Sequence, residues 1–141
     1  MTTSALIRLK KAKLPKKINW KKENDSLWAE CVKAKAGYKS EISGKLGKQI
    51  GGDSILHSHH LRGKSCIRLR YSLENGICVT AGSHIFGFHH TGRQQDYENK
   101  VRELRGADIF DKLEMLKMDK TKSDMKLINI YLQSELKKLK A

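Results

Sequence analysis

The chain has 141 residues, room for one small domain with helical extensions. Lysine and arginine number 29 against 15 acidic residues, a formal net charge of +14 with pI near 9.8. The partner implied is a polyanion, with nucleic acid ahead of an anionic membrane surface. No apolar run reaches membrane-spanning length and no signal peptide is visible, which argues against a membrane partner and for the cytoplasm. Cys31, Cys66 and Cys78 are odd in number and lack Cys-x-x-Cys spacing, which excludes a disulfide framework and an intact zinc ribbon.

Residues 1–22 hold eight basic residues, no acid and the only proline, Pro15. They read as a basic flexible arm. From Glu23 to Lys35, Leu27, Trp28, Cys31 and Val32 share one helix face, and Gly37 ends the helix. Gly44, Gly47, Gly51 and Gly52 punctuate a loop-rich stretch. Ile55–Leu61 reads as a strand and Arg68–Tyr71 as extended or irregular. Ile77–Thr80 reads as a second strand after an Asn-Gly turn at residues 74–76. A short helix is expected from about Ser83 through His90. The last third reads as helical. Tyr97, Val101 and Leu104 share a face that stops before Gly106. Asp108 caps a helix bearing Ile109, Phe110, Leu113 and Leu116, and Ser123 caps one bearing Met125, Ile128, Leu132, Leu136 and Leu139. The class expected is α+β, with a domain over residues 23–118. A C-terminal helix over 119–141 is packed on that domain or sits at a homodimer interface.

All six histidines lie between residues 57 and 90: His57, His59, His60, His84, His89 and His90. Histidine is both the commonest ligand for borderline metals and the best general base near neutral pH. A turn that joins strand to helix would bring several of them to one ion.

Read in order, His57-Ser58-His59-His60-Leu61, then Asn75-Gly76-Ile77-Cys78, then His84 and His89-His90, the segment resembles the HNH nuclease superfamily, and phage-type HNH endonucleases in particular. Fourteen residues separate His60 from Asn75 and eight separate Asn75 from His84, and the resemblance spans residues 55–90. It implies a small ββα-metal (His-Me finger) core with flanking N- and C-terminal helices. It also implies metal-dependent hydrolysis of DNA phosphodiester bonds, leaving a 5′ phosphate. His59 is then a metal ligand, His60 the general base that takes a proton from the attacking water, and Asn75 the brace that orients the base. His84 is a second ligand. The family's third ligand follows one helical turn later, where this chain has Phe88; His89 takes that place, with His90 as the alternative. The implied cofactor is one divalent ion, Mg²⁺, Mn²⁺ or Zn²⁺. Arg62, Lys64, Arg68 and Arg70 surround the site in sequence and are expected to hold phosphates. The cytoplasm would be that of a bacterial host if the chain is phage-encoded. Two other readings fit the same residues: a catalytically inactive basic DNA-binding module with an HNH fold, and an HNH-type RNase.

Ser40-Glu41-Ile42-Ser43-Gly44-Lys45 resembles the Cys-x-x-Cys-Gly-Lys zinc knuckle that precedes the His-His strand in many phage HNH proteins. Serine hydroxyls are poor zinc ligands, so the segment is either a knuckle that keeps its shape without zinc or an ordinary glycine turn. The three cysteines are expected as small buried residues, and Trp28 as core of the first helix. Trp20 fits either a core role or stacking on bases.

Overall fold

The computed structural model describes residues 17–83 and 94–141. His84, His89, His90 and the arm up to residue 16 lie outside them.

Helix α1 (Trp20–Lys35) begins three residues before the expected Glu23. The Asn19 side chain accepts a hydrogen bond from the Lys22 N–H at 3.1 Å and caps the first turn. Trp20 therefore belongs to the helix rather than the arm. The helix ends at Ala36, and Gly37 takes a φ of 67° that suits glycine. Strands β1 (Leu56–His60) and β2 (Gly76–Thr80) pair antiparallel, with Leu56 opposite Thr80 and His60 opposite Gly76.

Between the strands lies helix α2 (Ile67–Tyr71), where an extended or irregular segment was expected. The alternation in Arg68-Leu69-Arg70-Tyr71 is that of a strand. Side chains from elsewhere stabilise the helical turn instead, because Asn75 takes the Leu69 carbonyl and His60 meets that of Arg70. Residues 74–76 likewise form no two-residue hairpin. A single 3₁₀ turn, Leu73–Asn75, leads into β2, whose partner strand lies the whole 61–75 loop away.

The last third is helical as expected: α3 (Gln94–Arg105), α4 (Ile109–Met118) and α5 (Met125–Lys140). The cap of α5 is Asp124, not Ser123; its carboxylate accepts from the N–H groups of Lys126 (2.8 Å) and Leu127 (3.3 Å). Asp108 stands at the start of α4 without a side-chain capping bond. Val101 is buried as predicted, but Leu104 stays 54% exposed, and it is Arg105 of the same turn that packs inward onto Glu41 and the Gly76 carbonyl.

Two cores flank the two-stranded sheet. Trp28, Cys31, Val32, Leu56, Tyr71, Cys78 and Leu132 join α1 and α5 to one face. Leu61, Leu69, Ile77, Val79, Val101, Ile109, Phe110 and Leu113 join α3 and α4 to the other. The alternation along β2 dictates this split, with Cys78 on the first face and Ile77 and Val79 on the second. Gly76 faces α1 at close range: a Cβ there would collide with Val32 and lie 2.8 Å from Trp28 Cζ2. Helix α5 docks on α1 through its predicted apolar stripe and a buried amide ladder. Asn24 donates to the Met125 carbonyl (2.9 Å), Asn129 donates to Asn24 (3.0 Å), and Gln133 donates to Asn129. Leu127, Ile130 and Tyr131 are left facing outward.

Cys31 and Cys78 are fully buried and Cys66 partly so, all as free thiols. Burial pushes Cys31 and Cys78 up to about 11, so both are neutral. The loop after α1 lies along the open edge of β2. The Glu41 N–H donates to the Cys78 carbonyl (2.9 Å), and its carboxylate accepts from the Cys78 N–H (2.8 Å). Arg105 secures Glu41 from α3 at 2.8 Å and also donates to the Gly76 carbonyl. Among the described residues no helix is long and apolar enough to cross a membrane.

Candidate active site

Strand β1 ends in His59-His60, and the two-residue period of a strand sends these side chains to opposite faces. His60 shares the α1 face with Leu56 and with Ser58, whose hydroxyl donates to the Ala29 carbonyl at 2.7 Å. His59 lies on the α3–α4 face and is 8% exposed. At the strand end both border a recess of about 430 Å³ with Asp25, Trp28, Gly63, Lys64 and Arg70. Both also border a smaller one of about 220 Å³ with Gln94, Glu98 and Phe110.

Two contacts hold the His60 ring. Trp28 stacks on it with centroids 3.8 Å apart and planes 4° from parallel. Its Nε2 lies 3.0 Å from the Arg70 carbonyl oxygen. A carbonyl only accepts, so the neutral ring carries its proton on Nε2 and keeps Nδ1 as a base. Burial pushes the imidazole below its ordinary value of 6.5. The Arg70 carbonyl opposes this, Lys64 and the Arg70 charge add to the lowering, and Asp25 opposes it. The neutral form thus predominates at pH 7.

Asn75 is fully buried and joins three parts of the 61–75 loop. Its Oδ1 accepts from the Arg62 N–H (2.9 Å), and its Nδ2 donates to the carbonyls of Gly63 (2.8 Å) and Leu69 (2.9 Å). Its own carbonyl accepts from the Leu61 N–H at 2.8 Å. The hydrogen bonds of the Asn75 side chain go to the loop backbone and not to the His60 ring. Asn75 holds the loop that presents the Arg70 carbonyl, so any effect on the ring passes through the backbone.

The four basic residues are placed unequally. Arg70 makes a two-pronged ion pair with Asp25 (2.8 and 2.6 Å) that holds the Asp25 carboxyl below its ordinary value. Arg62 pairs with Glu98, lies 3.7 Å from Glu114, and covers the Phe110 ring at 3.9 Å. Arg68 meets Asp119 at 3.1 Å near the surface. Lys64 lines the larger recess and has no acidic partner among the described residues. The acids come from α1, α3 and α4 and from residue 119, so a local reading of the basic strip does not reveal them. Behind the Arg70 pair the Tyr71 hydroxyl is buried beside Asp25; burial first, and Asp25 after it, push it up to about 12 and keep it protonated.

Trp28 and Asp25 are the site residues that the sequence reading did not assign. They stand three positions apart on the α1 face that bears the core, and that spacing was the available signal. Among the described residues no three His, Cys, Asp or Glu side chains converge to hold a metal ion. Of the expected ligands only His59 lies within them, since His84, His89 and His90 do not. The Ser40–Ser43 loop is a compact turn. Ser40 Oγ accepts from the N–H groups of Ile42 (3.3 Å) and Ser43 (3.1 Å), and Gly44 takes a φ of 74°. Its hydroxyl stands where the knuckle pattern has a thiolate. Comparison with family models, characterised proteins and solved structures finds no match to this chain.

Proposed function

We propose that this protein is an HNH-type endonuclease that hydrolyses DNA phosphodiester bonds with His60 as general base. The observation that carries this reading is the His60 ring, fixed by the Arg70 carbonyl in the tautomer that leaves Nδ1 unprotonated. A water beside that nitrogen gives it a proton, and the resulting hydroxide attacks phosphorus as the 3′ oxygen departs. The imidazolium formed in this step is stabilised by the Arg70 carbonyl and by nearby Asp25. Lys64, with no acid paired to it among the described residues, is the basic residue best placed to meet a phosphate at the recess. Arg62 and Arg70 would first have to give up acidic partners and serve mainly to hold the loop.

His59 fits a divalent cation as a ligand, since an imidazole donor borders the same recess as His60. His84 and His89 are the proposed companions. An ion held there would neutralise the scissile phosphate and the leaving oxygen. The net charge of +14 supports a nucleic-acid substrate.

The test is cleavage of plasmid DNA and of RNA with Mg²⁺, Mn²⁺, Zn²⁺ or EDTA. His60→Ala is expected to lower the rate by about 10²–10⁴-fold while DNA binding persists. His59→Ala is expected to weaken metal binding in calorimetry as well as cleavage. Wild-type rates in His60→Ala would remove the base assignment. DNA binding without cleavage by the wild-type protein under every metal would leave a binding module in place of an enzyme, and cleavage of RNA alone would make it an RNase.

A further inference from the structure

We propose that Trp28 is a positioning residue for His60, setting the plane of the imidazole so that its free nitrogen faces the recess. This rests on the reading of His60 as the general base. A histidine ring turns about two side-chain torsions, and the Arg70 carbonyl restrains only one edge of it. A ring held at one edge can still tilt about that hydrogen bond. The Trp28 stack, 3.8 Å away and 4° from parallel, removes the tilt.

A clamp must itself be fixed, and Trp28 is. It is 2% exposed, its indole N–H donates to the Ser72 carbonyl at 2.9 Å, and Gly76 closes against its ring. One turn earlier on the same helix, Asp25 grips the Arg70 guanidinium. Both restraints on the base, the stack and the carbonyl, are thus referred to α1. Core filling alone does not explain this geometry. Aromatic pairs commonly pack offset or edge-to-face, and an aliphatic side chain fills a core equally well. A near-parallel overlap with a ring whose nitrogens have work to do is what an orienting surface requires. It covers a face of the imidazole and leaves the edges, where the nitrogens lie, open.

The experiment compares Trp28→Phe and Trp28→Leu in the full chain, by single-turnover DNA cleavage and by NMR of protein labelled at histidine. Phenylalanine keeps a flat ring, so turnover within about threefold of wild type is expected, while leucine keeps bulk without a plane and should lower kcat about 10–100-fold with KM within about twofold. The His60 ring protons should be shifted upfield by the aromatic current in wild type and Trp28→Phe, and should lose that shift in Trp28→Leu. In a His60→Ala background, Trp28→Leu should slow cleavage no further. Wild-type turnover in Trp28→Leu overturns the proposal, as does a further loss in the double variant. If Trp28→Leu does not fold, Trp28→Phe decides alone: loss of the His60 shift, or a kcat loss above about tenfold, overturns it. If His60→Ala cuts like wild type, the base assignment fails separately. The NMR shift then judges the clamp alone, and unmoved His60 signals in Trp28→Leu overturn it.

Discussion

On the α1 face of the sheet the contacts are directional: Ser58 to Ala29, Trp28 to Ser72 and His60, Asp25 to Arg70, and the amides of Asn24, Asn129 and Gln133 in a row. On the α3–α4 face the packing is mostly aliphatic. Leu61, Leu69, Ile77, Val79, Val101, Ile109 and Leu113 meet there beside the Phe110 ring, which Arg62 and Arg102 cover at the rim, where Arg62 also finds Glu98. Dispersion sets how close two surfaces come but tolerates rotation, whereas hydrogen bonds and ring stacks set angles. His60, whose ring meets both a stack and a carbonyl, stands on the directional face.

The largest expected effect comes from the residue that ties the loop between these faces. Asn75→Ala leaves the Arg62 N–H and the Gly63 and Leu69 carbonyls without their partner. At about 1–3 kcal/mol for each buried group left unsatisfied, a loss of about 3 kcal/mol or more is expected in urea unfolding. A loss under about 1 kcal/mol would show that the loop holds its shape without this brace.

Next come two substitutions at neighbouring positions of β2. Gly76→Ala forces a methyl into Val32 and Trp28 and should cost about 1–3 kcal/mol. Ile77→Val removes one methylene from the aliphatic face, for about 0.5–1.5 kcal/mol. The sharper readout is the His60 NMR signal, which should move in Gly76→Ala and stay in Ile77→Val. Equal movement in both would dissolve the distinction between the faces.

The smallest effect concerns acid. Arg70 holds Asp25 below its ordinary value of 3.8, so the pair's stabilisation is complete above that value and is lost as pH falls through the lower folded one. Asp25→Asn should therefore lose less stability than wild type on acidification below about pH 4. Because the pair is partly exposed, the difference should stay within about 1 kcal/mol. Identical acid profiles would mean the pair adds nothing net.

Where burial follows a simple period, the sequence already showed the elements. Both strands, the α1 core positions and the stripe of α5 were readable from spacing: α1 and α5 each turn one stripe to a core, and the apolar run of β2 fits a strand packed on both faces. Arg68–Tyr71 was not. Its helix depends on Asn75 donating to the Leu69 carbonyl and on His60 Nε2 meeting the Arg70 carbonyl, and no local pattern encodes that. The six clustered histidines and Asn75 drew attention to a stretch in which His59 and His60 border one recess and Asn75 braces the adjoining loop. The acids that occupy Arg62, Arg68 and Arg70 arrive from other elements, so the pairing of charges became visible only in three dimensions. The convergence expected of His59 with His84 and His89 falls on residues outside those described.

Glu41 lends the sheet something close to a third strand without supplying one. Its N–H and carboxylate occupy the Cys78 carbonyl and amide, and Arg105 pins it there. A strand edge with free amides is a template for any extended chain that drifts past, the usual route to runaway sheet growth. Here that position on the β2 edge is already taken by a side chain whose charge would repel a second acidic strand. Replacing Glu41 would therefore be felt first in how the protein behaves when concentrated or warmed, as intermolecular sheet, before any change at the histidines.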